Sequence, residues 1–384
     1  MARVTTDLLK ARGHEVQLMA HDSRDLEGTF HGKVSAFARG IYSKQARDEM
    51  ASSLHAFKPD VVHVHELYPH HSPWVLVECR RAGVPVVMTC HDFRLTCPVA
   101  THLRKGRACE SCANGATYWC ALKNCRGNLL ESLAYASRSA VANLFRLYRD
   151  NVSLFITPSE FLRDRLVYAG YPEERFTVIP NMVGDVSEAA DPAEGEYIAY
   201  AGRIAPEKGV HTLLEAARRN RLPVRIAGGM NSTIKEESAP VNVTWAGHLD
   251  AIKLTAFYRG ARFLVTPSLW YEAFGLVVAE AMMHGLPVLA AQGGALPELV
   301  EHGVTGLLFT PGDSKDLSRK MQALWHDPDL CRRLGHAARI KALRMYSAAP
   351  YYARLLTAYQ FAVARSGVAR VLGKASPTKR AGAA

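Results

Sequence analysis

Residues 197–209 read YIAYAGRIAPEKG, and the stretch VHTLLEAARR follows them directly. The apolar start predicts a buried strand, and the glycines around Arg203 and Lys208 predict a turn into a helix. The guanidinium of Arg203 offers phosphate oxygens a planar fork, whereas Lys208 offers a compact point charge. Because both cations follow one strand end, they can converge on one diphosphate. A surface turn that carries two solvated bases is the alternative.

Two acids eight positions apart mark a second strand-to-helix turn. The sequence EAFGLVVAE starts at Glu272 and ends at Glu280. If Phe274, Gly275 and Leu276 open a helix, their free N–H groups and the positive end of the helix dipole can bind a phosphate. Glu280 then lies two helical turns away, where a carboxylate can accept hydrogen bonds from ribose hydroxyls. A solvated acid followed by a buried helix is the alternative that the spacing alone allows.

A third turn contains Gly293 and Gly294, which permit close backbone approach just before a helix that carries Glu298. Three such turns at the carboxyl ends of apolar strands are what an open α/β sheet presents to a nucleotide. Strand-like segments also alternate with helical ones along the rest of the chain. They read EVQLMA, DVVHVH, VPVVMTC and LFITPS in the first half, and YIAYAG, LPVRIAGG, VNVTWAGH, ARFLVTPS and LPVLAA in the second. This alternation predicts two doubly wound parallel sheets.

The phrases GRIAPEKG, TPSLWYEAFGLVVAEAM, GLPVLAAQGGALPELV and HGVTGLLFTPGD resemble those of family 4 glycosyltransferases with the GT-B fold. The resemblance covers nearly the whole chain. It implies two Rossmann-like domains facing a cleft, and transfer of a sugar from a nucleotide-sugar donor with retention at the anomeric carbon. It also implies that Arg203 and Lys208 bind the donor diphosphate, that Glu280 holds the ribose, and that Glu272 contacts the donor sugar. The predicted donor-binding residues are Gly202, Arg203, Lys208, Phe274, Gly275, Leu276, Glu280 and Gly294.

His91 closes the strand VPVVMTC in the sequence TCHDF. The resemblance implies that this histidine lies near the donor sugar and the reacting centre. The predicted catalytic residues are therefore His91, Glu272, Arg203 and Lys208. No metal cofactor is expected to be needed for catalysis if the cations stabilise the departing diphosphate. A structural pair of His91 and Asp92 is the alternative, and structural roles are expected for His63 and His65.

The resemblance and the linker SEAADPAEGE predict the domain boundaries. An acceptor-side N-terminal domain should span residues 1–185, and a nucleotide-sugar-binding domain should span residues 195–345. A crossover helix at 346–366 should return to the N-terminal domain, and residues 367–384 should form a basic disordered tail. Family members normally begin with a strand and a Gly-Gly loop, whereas this chain starts inside the helix that follows. The first strand of the N-terminal sheet is therefore expected to be missing.

Five of the eight cysteines fall between residues 97 and 125. Cys109 and Cys112 have the Cys-x-x-Cys spacing of a metal-binding hairpin, and a distant pair could complete a tetrahedral site. The predicted ligands of a structural zinc ion are Cys97, Cys109, Cys112 and Cys125. Some family 4 members carry a similar insertion, which implies an acceptor-side lid held by metal. Reduced, unligated cysteines are the alternative, because structural disulfides are rare in cytoplasmic proteins.

Basic residues exceed acidic ones by eleven (47 − 36 = 11), and every charged residue after Asp329 is Lys or Arg. This basic end could attract anionic lipid head groups, with a solubilising tail as the alternative. Nucleic acid is not an expected partner, because the interleaved aromatics and motifs of such proteins are lacking. Neither a run of about twenty apolar residues nor a secretory signal occurs. We therefore expect a cytoplasmic protein that can lie at the inner face of the membrane.

The predicted function is retaining transfer of a sugar from a UDP- or GDP-sugar to a glycan or a lipid-linked acceptor, in the synthesis of cell-surface polysaccharide. A nucleotide-sugar epimerase on the same fold is one alternative. A non-catalytic or inactive GT-B-like binding protein is another, suggested by the missing first strand and the cysteine-rich segment. The donor base, the sugar and the acceptor stay open, because fold alone does not set them.

Overall fold

The computed structural model describes residues 1–20, 37–68, 70–229, 239–365 and 380–383. In the first half, the helices and strands are α1 (Ala2–Ala11), β1 (Glu15–Leu18), α2 (Lys44–Phe57), β2 (Val61–Val64), α3 (Val75–Arg81), β3 (Val86–Thr89), β4 (Leu103–Arg104), β5 (Arg107–Ala108), α4 (Tyr118–Leu122), α5 (Leu129–Leu144), α6 (Leu147–Asn151), β6 (Leu154–Thr157), α7 (Glu160–Tyr168) and β7 (Phe176–Val178). In the second half, they are β8 (Tyr197–Ala201), α8 (Val210–Asn220), β9 (Val224–Ala227), β10 (Val243–Gly247), α9 (Ala251–Arg259), β11 (Ala261–Thr266), α10 (Leu276–Met283), β12 (Val288–Ala291), α11 (Leu296–Leu299), β13 (Gly306–Phe309), α12 (Ser314–Trp325), α13 (Pro328–Tyr346), α14 (Ala348–Arg365) and β14 (Arg380–Ala383).

The chain divides into two compact units. The first contains Met1–His102, Glu110–Ile179 and Tyr352–Ala384, and the second contains Leu103–Cys109 and Pro180–Tyr351. Helix α14 therefore starts in the second unit and continues in the first. The short β4–β5 hairpin groups with the second unit, whereas the sequence had predicted that the whole cysteine-rich segment belongs to the N-terminal domain.

The first unit is built on a six-stranded parallel sheet with the order β1-β14-β2-β3-β6-β7. Strands β2, β3 and β6 are buried along their whole length, as expected for near-continuous apolar runs covered on both faces. Helices cover the sheet because a parallel strand pair needs a crossover connection. The predicted parallel α/β architecture is thus confirmed for this unit.

Strand β14 corrects the prediction of a disordered tail. Residues Arg380–Ala383 pair in parallel with Glu15–Leu18 on one side, and Ala381, Gly382 and Ala383 pair with the start of β2 on the other. A strand in this position satisfies backbone N–H and C=O groups of β1 and β2 that would otherwise lack partners inside the sheet. The rest of the predicted tail lies outside the described residues, whereas most of the basic end after Asp329 lies on α13 and α14.

The second unit contains a six-stranded parallel sheet with the order β10-β9-β8-β11-β12-β13. All five residues of β8 are buried, and so are all four of β12, which places both strands inside the main hydrophobic core. Renumbered from β8, this order is 3-2-1-4-5-6, the order of the Rossmann fold. The strand order therefore reverses between β8 and β11, and in open parallel sheets ligands bind at such a switch point, outside the carboxyl ends of the strands. The predicted second doubly wound sheet is confirmed.

No helix among the described residues is both long and apolar enough to cross a lipid bilayer.

Candidate functional site

The loops after β8 and β11 meet at the switch point of the second sheet. Gly209 has a φ of 72°, and a Cβ atom at this position would come within 1.7 Å of the Pro267 carbonyl oxygen. Only glycine tolerates both the conformation and the close approach. The Leu269 N–H also donates to the Glu207 carbonyl at 2.9 Å. The two loops are therefore held together by backbone contacts, which keeps the side chains that they carry in place.

Lys208 and Glu272 form the charged centre of this site. The Nζ atom of Lys208 lies 2.8 Å from Oε1 of Glu272, and the Ser268 hydroxyl donates to the same oxygen at 2.5 Å. The ammonium group also lies 4.6 Å from the ring centroid of Trp270, within cation–π range. Glu272 is only 8% exposed, so its carboxylate depends on these partners. The sequence predicted both residues but not their direct pairing.

Arg203 lies on the same loop and is much more exposed. Its Nη2 atom is 2.6 Å from Oε1 of Glu207, and 53% of its side chain is accessible. The backbone carbonyl of Arg203 accepts a hydrogen bond from the Tyr200 hydroxyl at 2.9 Å, which holds the loop. Gly202, just before it, donates its N–H to the Ala227 carbonyl at 3.0 Å. A guanidinium that is exposed to this extent can turn toward a phosphate if it leaves Glu207, whose own side chain is only 19% accessible.

Helix α10 begins at the last of the three residues that were predicted to open it. Leu276 is the first helical residue, and Gly275, with a φ of 113°, occupies the N-cap position without a side-chain cap. The first amides of α10 are therefore not used by a capping side chain and point outward from the helix start. Phe274 packs inward instead, with its ring edge against Tyr346 at a centroid distance of 5.5 Å. The Phe274 side chain therefore belongs to the core, in keeping with a prediction that involved only the backbone amides of these three residues.

Gly294 is needed where the loop after β12 touches the loop after β11. A Cβ at Gly294 would lie 2.4 Å from the Glu272 nitrogen, and the φ of 61° is in the left-handed region. The next residue, Ala295, donates its N–H to the Glu272 carbonyl at 2.8 Å. Gly294 therefore acts on Glu272 through the backbone, by letting the loop after β12 pack against the turn that carries the acid.

Glu280 has a partner that the sequence analysis missed. The Tyr258 hydroxyl donates to Oε2 of Glu280 at 3.0 Å. Burial raises the pKa of Glu280 above its ordinary value, and this hydrogen bond opposes the effect. Tyr258 lies 22 residues upstream on α9, and nothing in the local pattern AFYRG marks it as a site residue. A carboxylate has two oxygens, so one is oriented by Tyr258 while the other can accept a ligand hydroxyl.

In the first unit, three histidines stack beside one another at the ends of β2 and β3. The ring centroids of His63 and His65 are 4.2 Å apart, and those of His65 and His91 are 5.2 Å apart. Nδ1 of His65 lies 2.9 Å from Nε2 of His91. Burial lowers the pKa of His91 to about 4 and that of His63 to about 3. The stack is therefore neutral near pH 7, and His91 can serve as a hydrogen-bonding group but not as a cation.

His63 is held on both ring nitrogens. Nδ1 pairs with the Tyr359 hydroxyl and Nε2 with the Thr89 hydroxyl, both at 2.7 Å. Asp92, the alternative partner considered for His91, accepts hydrogen bonds from the backbone N–H of Arg94 at 2.8 Å and from its guanidinium at 3.1 Å. His91 is therefore oriented by His65 and not by an acid next to it in the chain.

The cysteine-rich segment brings a different set of thiols together from the one predicted. Cys112 and Cys120 share a small buried cluster with Ala136, and Cys125 packs against it. Burial, together with the nearby thiols of Cys125, Cys112 and Cys97, raises the pKa of the Cys120 thiol to about 12. Cys120 was absent from the predicted ligands. Among the residues that the structure describes, no three His, Cys, Asp or Glu side chains are placed to hold a metal ion, so this arrangement does not fit the predicted zinc site.

Comparisons with known proteins decide the family. Residues 2–185 match the model "Glycosyltransferase Family 4", and residues 186–341 match "Glycosyl transferases group 1". The chain belongs to the family 4 glycosyltransferases. The matches meet at the boundary between the two halves and leave out only the ends of the chain. The protein is thus a glycosyltransferase with the GT-B fold, as the sequence analysis predicted.

Individual relatives are distant. D-inositol 3-phosphate glycosyltransferase of Streptomyces bingchenggensis is 28% identical over 333 residues, which cover 78% of this chain and 69% of the relative. The MMP alpha-(1->4)-mannosyltransferase of Mycolicibacterium hassiacum is 31% identical over 235 residues, or 57% of this chain and 56% of the relative. The sulfoquinovosyl transferase of Arabidopsis thaliana is 34% identical over 154 residues, or 38% of this chain and 30% of the relative.

Solved structures agree on the fold. Sucrose-phosphate synthase from Thermosynechococcus elongatus superposes with a TM-score of 0.64 at 20% identity, over 83% of this chain and 77% of that one. Anabaena HepE, solved in complex with UDP, gives a TM-score of 0.60 at 20% identity, over 82% of this chain and 81% of that one. At this identity the likeness concerns the fold, and substrates have to be argued from the residues.

Proposed function

We propose that this glycosyltransferase binds a nucleotide-sugar donor at the switch point of its second sheet and transfers the sugar with retention at the anomeric carbon. One observation carries the proposal. Lys208 follows β8, and the uncapped start of α10 follows β11 together with Glu280, which Tyr258 of α9 orients. In an open parallel sheet, nucleotides bind at this place. Lys208 and the start of α10 suit a diphosphate, and Glu280 suits a ribose.

The diphosphate would be held by positive charge and by backbone amides. Lys208 is already fixed by Glu272 and by the face of Trp270, so it need not be ordered when the donor arrives. Arg203 can leave Glu207 and add two parallel hydrogen bonds to phosphate oxygens. Charge grows on the diphosphate as the bond to the sugar breaks, and fixed donors stabilise that charge most in the transition state. This is the catalytic role proposed for Arg203 and Lys208.

The ribose would be held by Glu280. Its Oε2 atom is oriented by Tyr258, and the carboxylate can accept hydrogen bonds from ribose hydroxyls in its ionised form. Glu272 has a different proposed role, because its Oε1 atom already receives Lys208 and Ser268. It would position Lys208 and contact the donor sugar. His91, a neutral ring in the first unit, is the proposed polar contact to the transferred sugar.

The proposed donor is a UDP- or GDP-sugar, and the proposed acceptor is a glycan or a lipid-linked glycan used for cell-surface polysaccharide. Support for the donor class comes from HepE, which has been solved with UDP and with UDP-glucose. Support for a glycan acceptor comes from relatives named for mannosyl transfer, among them an O-antigen chain mannosyltransferase of Escherichia coli. No metal takes part in the proposed step.

Calorimetric titration of the full chain with UDP, GDP and ADP tests the proposal. Lys208→Ala should weaken binding of the preferred nucleotide by about 10- to 100-fold, the value of one charge-assisted contact. Lys253→Ala is the matched control, because that lysine is in the same unit and 71% of its side chain is exposed. Equal affinity of wild type and Lys208→Ala for every nucleotide would rule out the assignment. Incubation with donor alone, followed by sugar analysis, would reveal an epimerase.

A further inference from the structure

The hydrogen bond between His65 and His91 has a well-defined direction. Nδ1 of His65 lies 2.9 Å from Nε2 of His91, the ring planes differ by 13°, and the ring centroids are 5.2 Å apart. This centroid distance is as long as the hydrogen bond permits, so the two nitrogens lie on the line between the ring centres. The bond therefore lies close to the planes of both rings, where the N–H and the lone pair of an imidazole point.

Each of the two rings carries a single proton near pH 7. Burial is the main cause that lowers the pKa of His65 and of His91. In a neutral imidazole, one ring nitrogen is a donor and the other is an acceptor. Two arrangements satisfy the hydrogen bond. In the first, His65 donates from Nδ1 and His91 carries its proton on Nδ1. In the second, His91 donates from Nε2 and His65 carries its proton on Nε2.

The environment of Nε2 of His65 distinguishes these arrangements. The atom is inaccessible to solvent, and it has no hydrogen-bond partner among the residues that the structure describes. The second arrangement would place an unpaired N–H group there, whereas the first leaves only a lone pair. Unpaired N–H groups are rarer in protein interiors than acceptors that lack a donor, and a buried donor without a partner is costly. The first arrangement is therefore favoured.

We propose that His65 is a positioning residue that fixes the tautomer of His91 and makes Nδ1 of His91 a hydrogen-bond donor. His91 is only partly buried, and its Nδ1 atom is left for a ligand because Nε2 is bound to His65. Under the proposed function, this N–H donates to an oxygen of the transferred sugar. That contact rests on the proposed function, whereas the tautomer does not. His63 takes no part, because its ring nitrogens are bound to the hydroxyls of Tyr359 and Thr89.

NMR spectroscopy of the full chain, labelled with ¹⁵N at histidine, tests the tautomer directly. Correlations between the ring nitrogens and the carbon-bound ring protons distinguish the two tautomers. The His91→Gln variant identifies the signals of His91 among those of the 16 histidines. At about pH 8, Nδ1 of His91 should be protonated and Nε2 should not. A wild-type spectrum in which Nε2 of His91 carries the proton would overturn the proposal, whatever the variants show.

Two substitutions of similar size should act in opposite directions. In His65→Asn, the amide can still donate to Nε2 of His91, so the tautomer should be kept. In His65→Asp, the carboxylate can only accept, so Nε2 of His91 should take the proton. His63→Asn is the matched control, because it changes the neighbouring ring without touching this hydrogen bond. An unchanged tautomer in His65→Asp, with a circular dichroism spectrum like that of wild type, would contradict the positioning role.

Nucleotide-sugar binding links the tautomer to the proposed function. Calorimetry compares UDP-glucose with UDP, and GDP-mannose with GDP. For the pair that binds, the affinity gained from the sugar should fall about tenfold in His65→Asp and less than about threefold in His65→Asn, as expected for one neutral hydrogen bond. Affinity for the free nucleotide should not change. An unchanged gain in His65→Asp would refute the contact with the sugar. A wild type that binds none of the four compounds would refute the proposed function and leave the tautomer result standing.

Discussion

Removing Lys208 should destabilise the second unit, because it leaves a buried carboxylate without its counter-charge. Glu272 is 8% exposed, and its Oε1 atom has Lys208 at 2.8 Å and the Ser268 hydroxyl at 2.5 Å. In Lys208→Met, the hydroxyl alone would face the charge. Breaking a buried pair from one side costs about 3 kcal/mol or more. For a unit of this size, that predicts a fall in melting temperature of about 6–12 °C.

A double-mutant cycle measures the interaction free energy of Lys208 and Glu272 separately from their other contacts. Glu272→Gln should cost less, about 1 kcal/mol, because Lys208 can still reach water and the Trp270 ring. The double variant Lys208→Met with Glu272→Gln should then be more stable than Lys208→Met alone, which corresponds to a coupling of about 2 kcal/mol. Urea unfolding followed by tryptophan fluorescence and circular dichroism gives the four free energies of unfolding.

The neighbouring pair of Arg203 and Glu207 provides the control. Its atoms are as close, at 2.6 Å, but 53% of the arginine side chain is exposed. Arg203→Met should therefore change the free energy of unfolding by less than about 1 kcal/mol. If Lys208→Met unfolds at the wild-type temperature, or if the cycle shows additive effects, Glu272 is not held as the structure indicates.

Three other predictions concern buried groups. Wild type should bind its nucleoside diphosphate more tightly than the 2′-deoxy form, and Glu280→Gln should reduce that preference, as measured by titration calorimetry across a range of pH. Because burial raises the pKa of Glu280, the ribose-dependent affinity should decline on acidification at a higher pH than for an ordinary glutamate. The contribution of Glu280 to folding stability should instead rise as the pH falls, since the folded state favours the protonated carboxyl group. His63→Leu should lower the free energy of unfolding by about 2 kcal/mol, because the Tyr359 and Thr89 hydroxyls lose their partner; an unchanged denaturation curve would contradict this. Cys120 is 1% exposed and its pKa is raised to about 12, so it should resist alkylation at pH 8 in the folded protein. Rapid labelling of Cys120, seen by intact-mass and peptide analysis, would show that the segment is open. Zinc analysis of the same sample tests the predicted metal site.

Local sequence patterns, namely apolar runs and glycine turns, were sufficient to predict the fold. Apolar runs that end in glycine turns are readable because a buried parallel strand needs continuous apolar residues and its loop needs glycine where backbones approach closely. Gly209 and Gly294 illustrate this, since a Cβ at either would overlap a neighbouring backbone. Arg203, Lys208, Glu272 and Glu280 could be proposed for the same reason, as each lies at a fixed distance from such a turn.

The chain therefore specifies the succession of strands and helices, the two sheets and the positions of the glycine turns, because these features depend on residues that are neighbours in sequence. The tertiary structure was needed to show that Lys208 meets Glu272, 64 residues away, and that Tyr258 orients Glu280. It also placed Arg380–Ala383 between β1 and β2, and it turned Ser132 inward while Leu130 faces outward. Each of these depends on which surfaces pack together. No periodicity within a single segment contains that information.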